Sequence, residues 1–215
     1  MTGLLIKDWK LLKSQGKFFL TVVLFAVIII FMNSWEYTSF ATSYMTFLIT
    51  MFTLSTFSYD EAGQGMCFLL SLPVSRKSFV REKYLFGVLL AGTTWILSIA
   101  IRFLFLLIQS PTEFWFHFVG TEPIFLAVVF IFLGYSLPLM FQFGAEKGRM
   151  VSFAILFGIF ALIVIFGFLH TMTAAAENLA NASMGILNVA AVIFSVLFLI
   201  GSYFISLKII EKKEY

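Results

Sequence analysis

The chain has 215 residues, of which 61% are hydrophobic and only 12% charged, and its formal net charge is +3. Soluble domains carry roughly 25% charged residues, so this composition excludes an ordinary water-soluble globule. It also argues against a nucleic-acid partner, because no basic run is long enough to track phosphates, and the single cysteine, Cys67, excludes an intramolecular disulfide.

The first expected element is an interfacial helix within residues 1–17. Leu4, Leu5, Leu11 and Leu12, with Trp9 between them, form an apolar side, and Lys7, Asp8, Lys10, Lys13 and Lys17 supply the polar positions. Such a helix lies among lipid headgroups with Trp9 as its anchor. Ser14-Gln15-Gly16 then permits a turn into the bilayer. The apolar run that follows, Phe18–Met32, ends without a small-x-small cleavage pattern, so it is predicted to stay as a first span rather than to be removed as a signal peptide.

Five further apolar runs follow: Ala41–Ser58, Tyr84–Ile108, Ile124–Phe143, Met150–Leu169 and Met184–Leu207. Each approaches or exceeds the ~20 residues a helix needs to cross hydrocarbon. The expectation is an all-α polytopic membrane protein with six spans, forming one transmembrane domain over residues 1–215. Of the fourteen Lys and Arg residues, all but Arg102 fall in the N-terminal segment, in the second and fourth connections, or after the last span. Positive charge is retained in the cytoplasm during insertion, which places both termini and those two connections there.

The longest hydrophilic stretch is Tyr59–Lys83. It opens with Asp60-Glu61, acids suited to a helix N-terminus, and breaks at Pro73. Ser75 is a candidate N-cap for a basic helix leading back into the membrane. A loop needed only to turn the chain is shorter than this, so residues 59–83 read as a protein-docking surface, with a headgroup-binding patch as the alternative.

Inside the spans three positions stand out. Arg102 is the one basic residue within a span; it is expected to snorkel outward, either pairing with Glu36, Glu113 or Glu122 or lining the exit of a translocation path. Glu122-Pro123 is expected to open the fourth span, with the proline in its first turn. Pro138 is interior to that span and marks a kink and a candidate hinge.

Catalytic signals are scarce. His117 and His170 read as interfacial side chains, no metal-ligand spacing is present, and no Gly-x-x-x-x-Gly-Lys-Ser/Thr phosphate loop occurs. The expectation is a chain that is not itself an enzyme and carries no cofactor or metal.

The run Tyr59-Asp60-Glu61…Leu70-Ser71-Leu72-Pro73-Val74-Ser75-Arg76-Lys77…Val80…Lys83-Tyr84 resembles the first cytoplasmic loop of small bacterial ABC-2-type permeases. The amphipathic lead-in and the Gly144-Ala145-Glu146-Lys147-Gly148-Arg149 turn are similar too. The resemblance implies a plasma-membrane half-transporter that works with a second copy or paralogue of itself and with separate ATPase chains carrying ATP and Mg. It further implies that Asp60–Leu72 is a coupling helix. Asp60, Glu61, Gln64, Phe68, Leu69 and, past the corner, Arg76 would then contact the ATPase, with Glu61 the leading polar contact. The tiny outer connections and apolar bundle point to an amphipathic or hydrophobic cargo, such as a small peptide, a lipid-like molecule or a drug. Two rival readings are an ion-coupled secondary transporter, disfavoured by the lack of mid-span acids, and a non-transporting scaffold or immunity subunit.

Overall fold

Every element described in a computed structural model of the chain is helical. The backbone is described for residues 2–32, 38–62, 65, 75–109, 114–172 and 184–212, and side chains for 3–30, 40–62, 75–104, 123–161 and 188–212. Seven helices follow in order: α1 (Thr2–Ser14), α2 (Gly16–Met32), α3 (Thr38–Glu61), α4 (Arg76–Gln109), α5 (Phe114–Phe143), α6 (Ala145–Met172) and α7 (Met184–Lys212). A chain this apolar must satisfy its backbone polar groups internally, and helices do so without a partner segment.

The turn expected at Ser14-Gln15-Gly16 is present. The Gln15 amide still donates to Leu11 and Leu12, while its carbonyl accepts from Phe18 and Phe19, so one helix ends and the next begins on the same residue. The two axes differ by 62°. Among the described residues, α3, α4, α5 and α7 are each long and apolar enough to cross a membrane, and the bent pair α1–α2 makes a fifth candidate. With only 17 residues, α2 falls short of a full span by itself. The expected run Met150–Leu169 lies within α6, whose side chains are described as far as Ala161.

A small apolar core at Ile30 and Ala41 and two larger ones hold the described helices together. One joins α3, α4, α5 and α7; at one end of it Phe57, Phe79 and Phe141, from three helices, meet edge-on or tilted, with Phe57 and Phe141 centroids 5.1 Å apart. The other joins α2, α3 and α4 through Val22, Ala26, Met45, Ile49, Phe52, Phe86 and Leu90. Between lipid-embedded helices this contact is dispersion and shape fit rather than escape from water. α3 also buries a threonine series, Thr42, Thr46, Thr50, Thr53 and Thr56. Thr46 and Thr50 donate to carbonyls one turn back on the same helix, at 2.8 and 2.7 Å, so their polarity is satisfied without a partner helix.

Several expectations need correction. Asp60 and Glu61 do not open a helix; α3 continues through both, because Asp60 is neutralised inside the bundle and needs no water there. Asp8, expected on a solvated face of α1, is fully buried. Arg102 is buried, only 2% exposed, on one stripe of α4 with Thr94 and Ser98, which are also buried; the side chains of the acids expected to pair with it lie outside the described residues. Pro123 is not in a first turn, since α5 begins at Phe114 and carries both Pro123 and Pro138 in its interior. The side chains of Glu36, Gln64, Cys67, Phe68, Leu69, Glu113, His117, Glu122 and His170 lie outside the described residues.

Candidate functional site

The polar chemistry gathers where α1, α3 and α4 meet. Leu4 and Asp8 lie one turn apart on α1, so the stripe that buries Leu4 also carries Asp8 inward. Opposite it, Lys83 of α4 is fully buried and places its ammonium 2.5 Å from Asp8, 2.6 Å from Asp60 and 3.1 Å from the Thr56 hydroxyl. Lys7 of α1 bonds Asp60 from the other side and lies 3.3 Å from Asp8. Glu82, also buried, approaches Lys83 at 3.9 Å. The Phe79 ring completes the cage, 5.6 Å beneath the ammonium. Three acidic side chains thus surround two ammonium groups, with Asp8 and Asp60 the close ion pairs, and the array pins α1 to the ends of two membrane helices. Asp8 lies on α1, which is not among the four helices long and apolar enough to cross a membrane by themselves. Burial by itself would raise its carboxyl pKa, but attraction and hydrogen bonding from Lys83, helped by Lys7, more than offset that and hold it below 3.8.

Next in the chain, Glu61 faces a different neighbour. α5 ends at Phe143, and Gly144 adopts a positive φ of 85°, the left-handed cap that glycine accepts most readily. α6 starts at Ala145, whose otherwise orphaned amide donates to the Glu61 carboxylate. A Cβ on Gly144 would lie 2.6 Å from that carboxylate, and one on Gly148 would lie 2.7 Å from the Met140 backbone. On the Gly148 side the close neighbour is fixed backbone, whereas on the Gly144 side it is the end of the Glu61 side chain, so there the positive φ is the firmer demand for glycine. A cleft of about 480 Å³ opens beside it, lined by Ser58, Glu61, Gly144, Glu146, Lys147 and Arg149.

On its far side α4 is tied to α5 and α7 by neutral groups. The Tyr84 hydroxyl lies 2.5 Å from Ser202 and 2.8 Å from Ser206, and Ser202 donates onward to the Gly134 carbonyl. At the head of α4, Ser75 caps the Ser78 amide at 3.2 Å, as its position in the sequence suggests. Arg76 turns its guanidinium to the Ile210 carbonyl in the last turn of α7, at 3.4 Å.

Of the residues singled out from sequence, Asp60 and Glu61 are thus brought into one junction, Arg76 lies at the start of the next helix, and Arg102 is buried elsewhere on α4. Of the cluster's other members, Lys7, Asp8 and Glu82 are not among the motif residues, and Lys83 is among them but with no role attached. The readable signal was the Leu4–Asp8–Leu11 spacing, which leaves Asp8 no solvated side.

These features define a multi-pass helical membrane protein. The chain belongs to the family described as ABC-2 family transporter protein, which it matches over residues 3–211. It is therefore a membrane permease component of an ABC transporter, without ATPase motifs of its own. No curated protein and no solved structure matches the chain.

Proposed function

We propose that the chain is one half of the translocating bundle of an ABC exporter. It spans the plasma membrane six times with both termini in the cytoplasm, pairs with a second copy or paralogue, and is driven by separate ATPase chains that hold ATP and Mg. Residues 1–215 act as one transmembrane domain. The cargo is amphipathic or hydrophobic, such as a small peptide, lipid-like molecule or drug.

The observation that carries this reading is the junction at the end of α3. Consecutive carboxylates there bond in two directions: Asp60 to α1 and α4, and Glu61 to the start of α6. The segment that follows, residues 62–75, is thus attached to four helices at its root, as a transmitted stroke requires. On this reading Gln64, Phe68 and Leu69, with Arg76 beyond the corner, touch the ATPase, whereas Asp60 and Glu61 pass the motion inward. ATP-driven closure of the two ATPases would move both segments and switch the bundles between inward- and outward-open states. Pro138 serves as a hinge in α5, and Arg102 and Glu122 as polar positions along the path.

The test is recovery of an ATPase with the purified chain. Phe68→Asp and Leu69→Asp are expected to abolish recovery while insertion stays intact. Glu61→Gln is expected to retain the ATPase but uncouple hydrolysis from transport. A wild-type chain that recovers no ATPase in mild detergent sinks the reading, and the same outcome together with gradient-dependent transport establishes a secondary transporter instead.

A further inference from the structure

The face of α1 that turns away from the ion cluster borders a second feature. Leu5, Ile6 and Trp9 of α1 and Phe86, Leu89 and Leu90 of α4 line a groove of about 350 Å³ that is almost wholly apolar. Its one hydroxyl, on Thr93, donates to the Leu89 carbonyl at 2.7 Å, so it offers no polar group in want of a partner. From Phe86 to Thr93 the wall runs about 10 Å along the axis of α4. The groove is therefore elongated and directed into the span, a form suited to a hydrocarbon chain rather than to a folded partner. Ile6, Trp9 and Leu89 are 55%, 63% and 56% exposed, so the groove stands open.

The stripe of α1 that lines this groove continues into positive charge. Lys10 follows Ile6 by one turn and Lys13 follows Trp9 by one turn, so both continue the groove-lining stripe. Both are exposed, and neither is ion-paired among the described residues, in contrast to Lys7, which Asp8 and Asp60 hold. An apolar slot whose α1 wall continues into two exposed lysines has the chemistry of the two ends of one amphipathic molecule.

We propose that the α1–α4 groove binds an anionic phospholipid, with an acyl chain along α4 and the phosphate at Lys10 and Lys13. The lipid braces α1 from outside while the Asp8–Lys83 pair holds it from inside. The proposal rests on α1 being an interfacial helix, and not on the identity of the ATPase partner.

The test uses a chain with Trp9 as its only tryptophan (Trp35→Phe, Trp95→Phe, Trp115→Phe) in phosphatidylcholine nanodiscs. Trp9 fluorescence is titrated with dibrominated phosphatidylglycerol or with dibrominated phosphatidylcholine. A surface lysine favours anionic lipid by roughly fivefold, so the brominated anionic lipid is expected to half-quench Trp9 at a mole fraction about tenfold or more below that of the neutral one. Lys10→Gln with Lys13→Gln is expected to merge the two curves, and Thr93→Phe, which fills the groove from an exposed position, to weaken quenching by both lipids. Superimposed curves in the parent chain would overturn the proposal, as would a preference that survives loss of both lysines. Trp9 unquenched by either lipid would instead overturn the interfacial placement of α1 and the site with it. Both leaflets carry the probe, so the orientation of the chain does not affect the outcome.

Discussion

Lys83 and Tyr84 are neighbours on α4, both buried at the same depth, yet they tie the helix to its surroundings by different chemistry. Lys83 reaches α1 and α3 through an array of full charges, whereas Tyr84 reaches α7 and α5 through hydroxyls and a backbone carbonyl. The charged side is held firmly only while it is complete, because removing one member strands the others in a medium that cannot solvate them. The neutral side loses one hydrogen bond at a time. α4 therefore has one flank that behaves as all-or-none and one that degrades gradually. The all-or-none flank is the one next to the segment proposed to receive the ATPase.

The largest effect should come from breaking the charged flank. Lys83→Met leaves Asp8, Asp60 and Glu82 buried around an apolar side chain and is expected to destabilise the protein by about 3–5 kcal/mol, read as a fall in unfolding temperature in detergent. Replacing Asp8 and Glu82 by Leu in the same chain should restore much of that loss; no recovery would mean that the array is not the source of stability.

A middle-sized effect is expected at the turn between α5 and α6. Gly144→Ala combines an unfavourable left-handed backbone with a Cβ pressed on Glu61 and should cost about 1–3 kcal/mol. In a Glu61→Ala background only the backbone part remains, so a double-mutant cycle should show clear non-additivity. Simple addition of the two effects would mean that Glu61 does not brace the turn.

Acid provides a way to weaken the charged flank without mutation. The Asp8 carboxyl titrates below its ordinary 3.8 in the folded chain. Its contribution is therefore complete above that value and is lost as pH falls through the folded value. Asp8→Asn should remove this part of the acid sensitivity, and an acid profile unchanged by the substitution would contradict the pairing.

Tyr84→Phe should be the mildest change, about 0.5–1.5 kcal/mol, with Ser202 still bonded to Gly134. A loss as large as that from Lys83→Met would erase the contrast between the flanks.

Much of this arrangement was legible in the sequence because it is local. Apolar runs located the helices, Ser75 its cap, and Ser14-Gln15-Gly16 the bend, each depending on residues within a turn of one another. The positions of Lys7, Asp8, Asp60 and Lys83 depend on pairings 53 and 75 residues apart, which no local pattern encodes. Asp60 and Glu61 looked like a helix start because acids favour that end of the dipole. Their actual partners, Lys7, Lys83 and the head of α6, are supplied by other helices and let α3 run on. For Arg102 the depth in the span was legible, while its burial on one stripe with Thr94 and Ser98 depends on the helices packed around α4.

A single residue, Gly144, separates α5 from α6. With 28 residues, α6 is about 42 Å long by helical rise. With its first turn braced by Glu61, the helix is a long arm hung from a short, stiff pivot. A sideways shift of one ångström across that first turn, about 5 Å in length, sweeps the far end through several ångströms. In the six-span arrangement proposed above, leverage of this kind would turn a small push on one side of the membrane into a wide movement on the other.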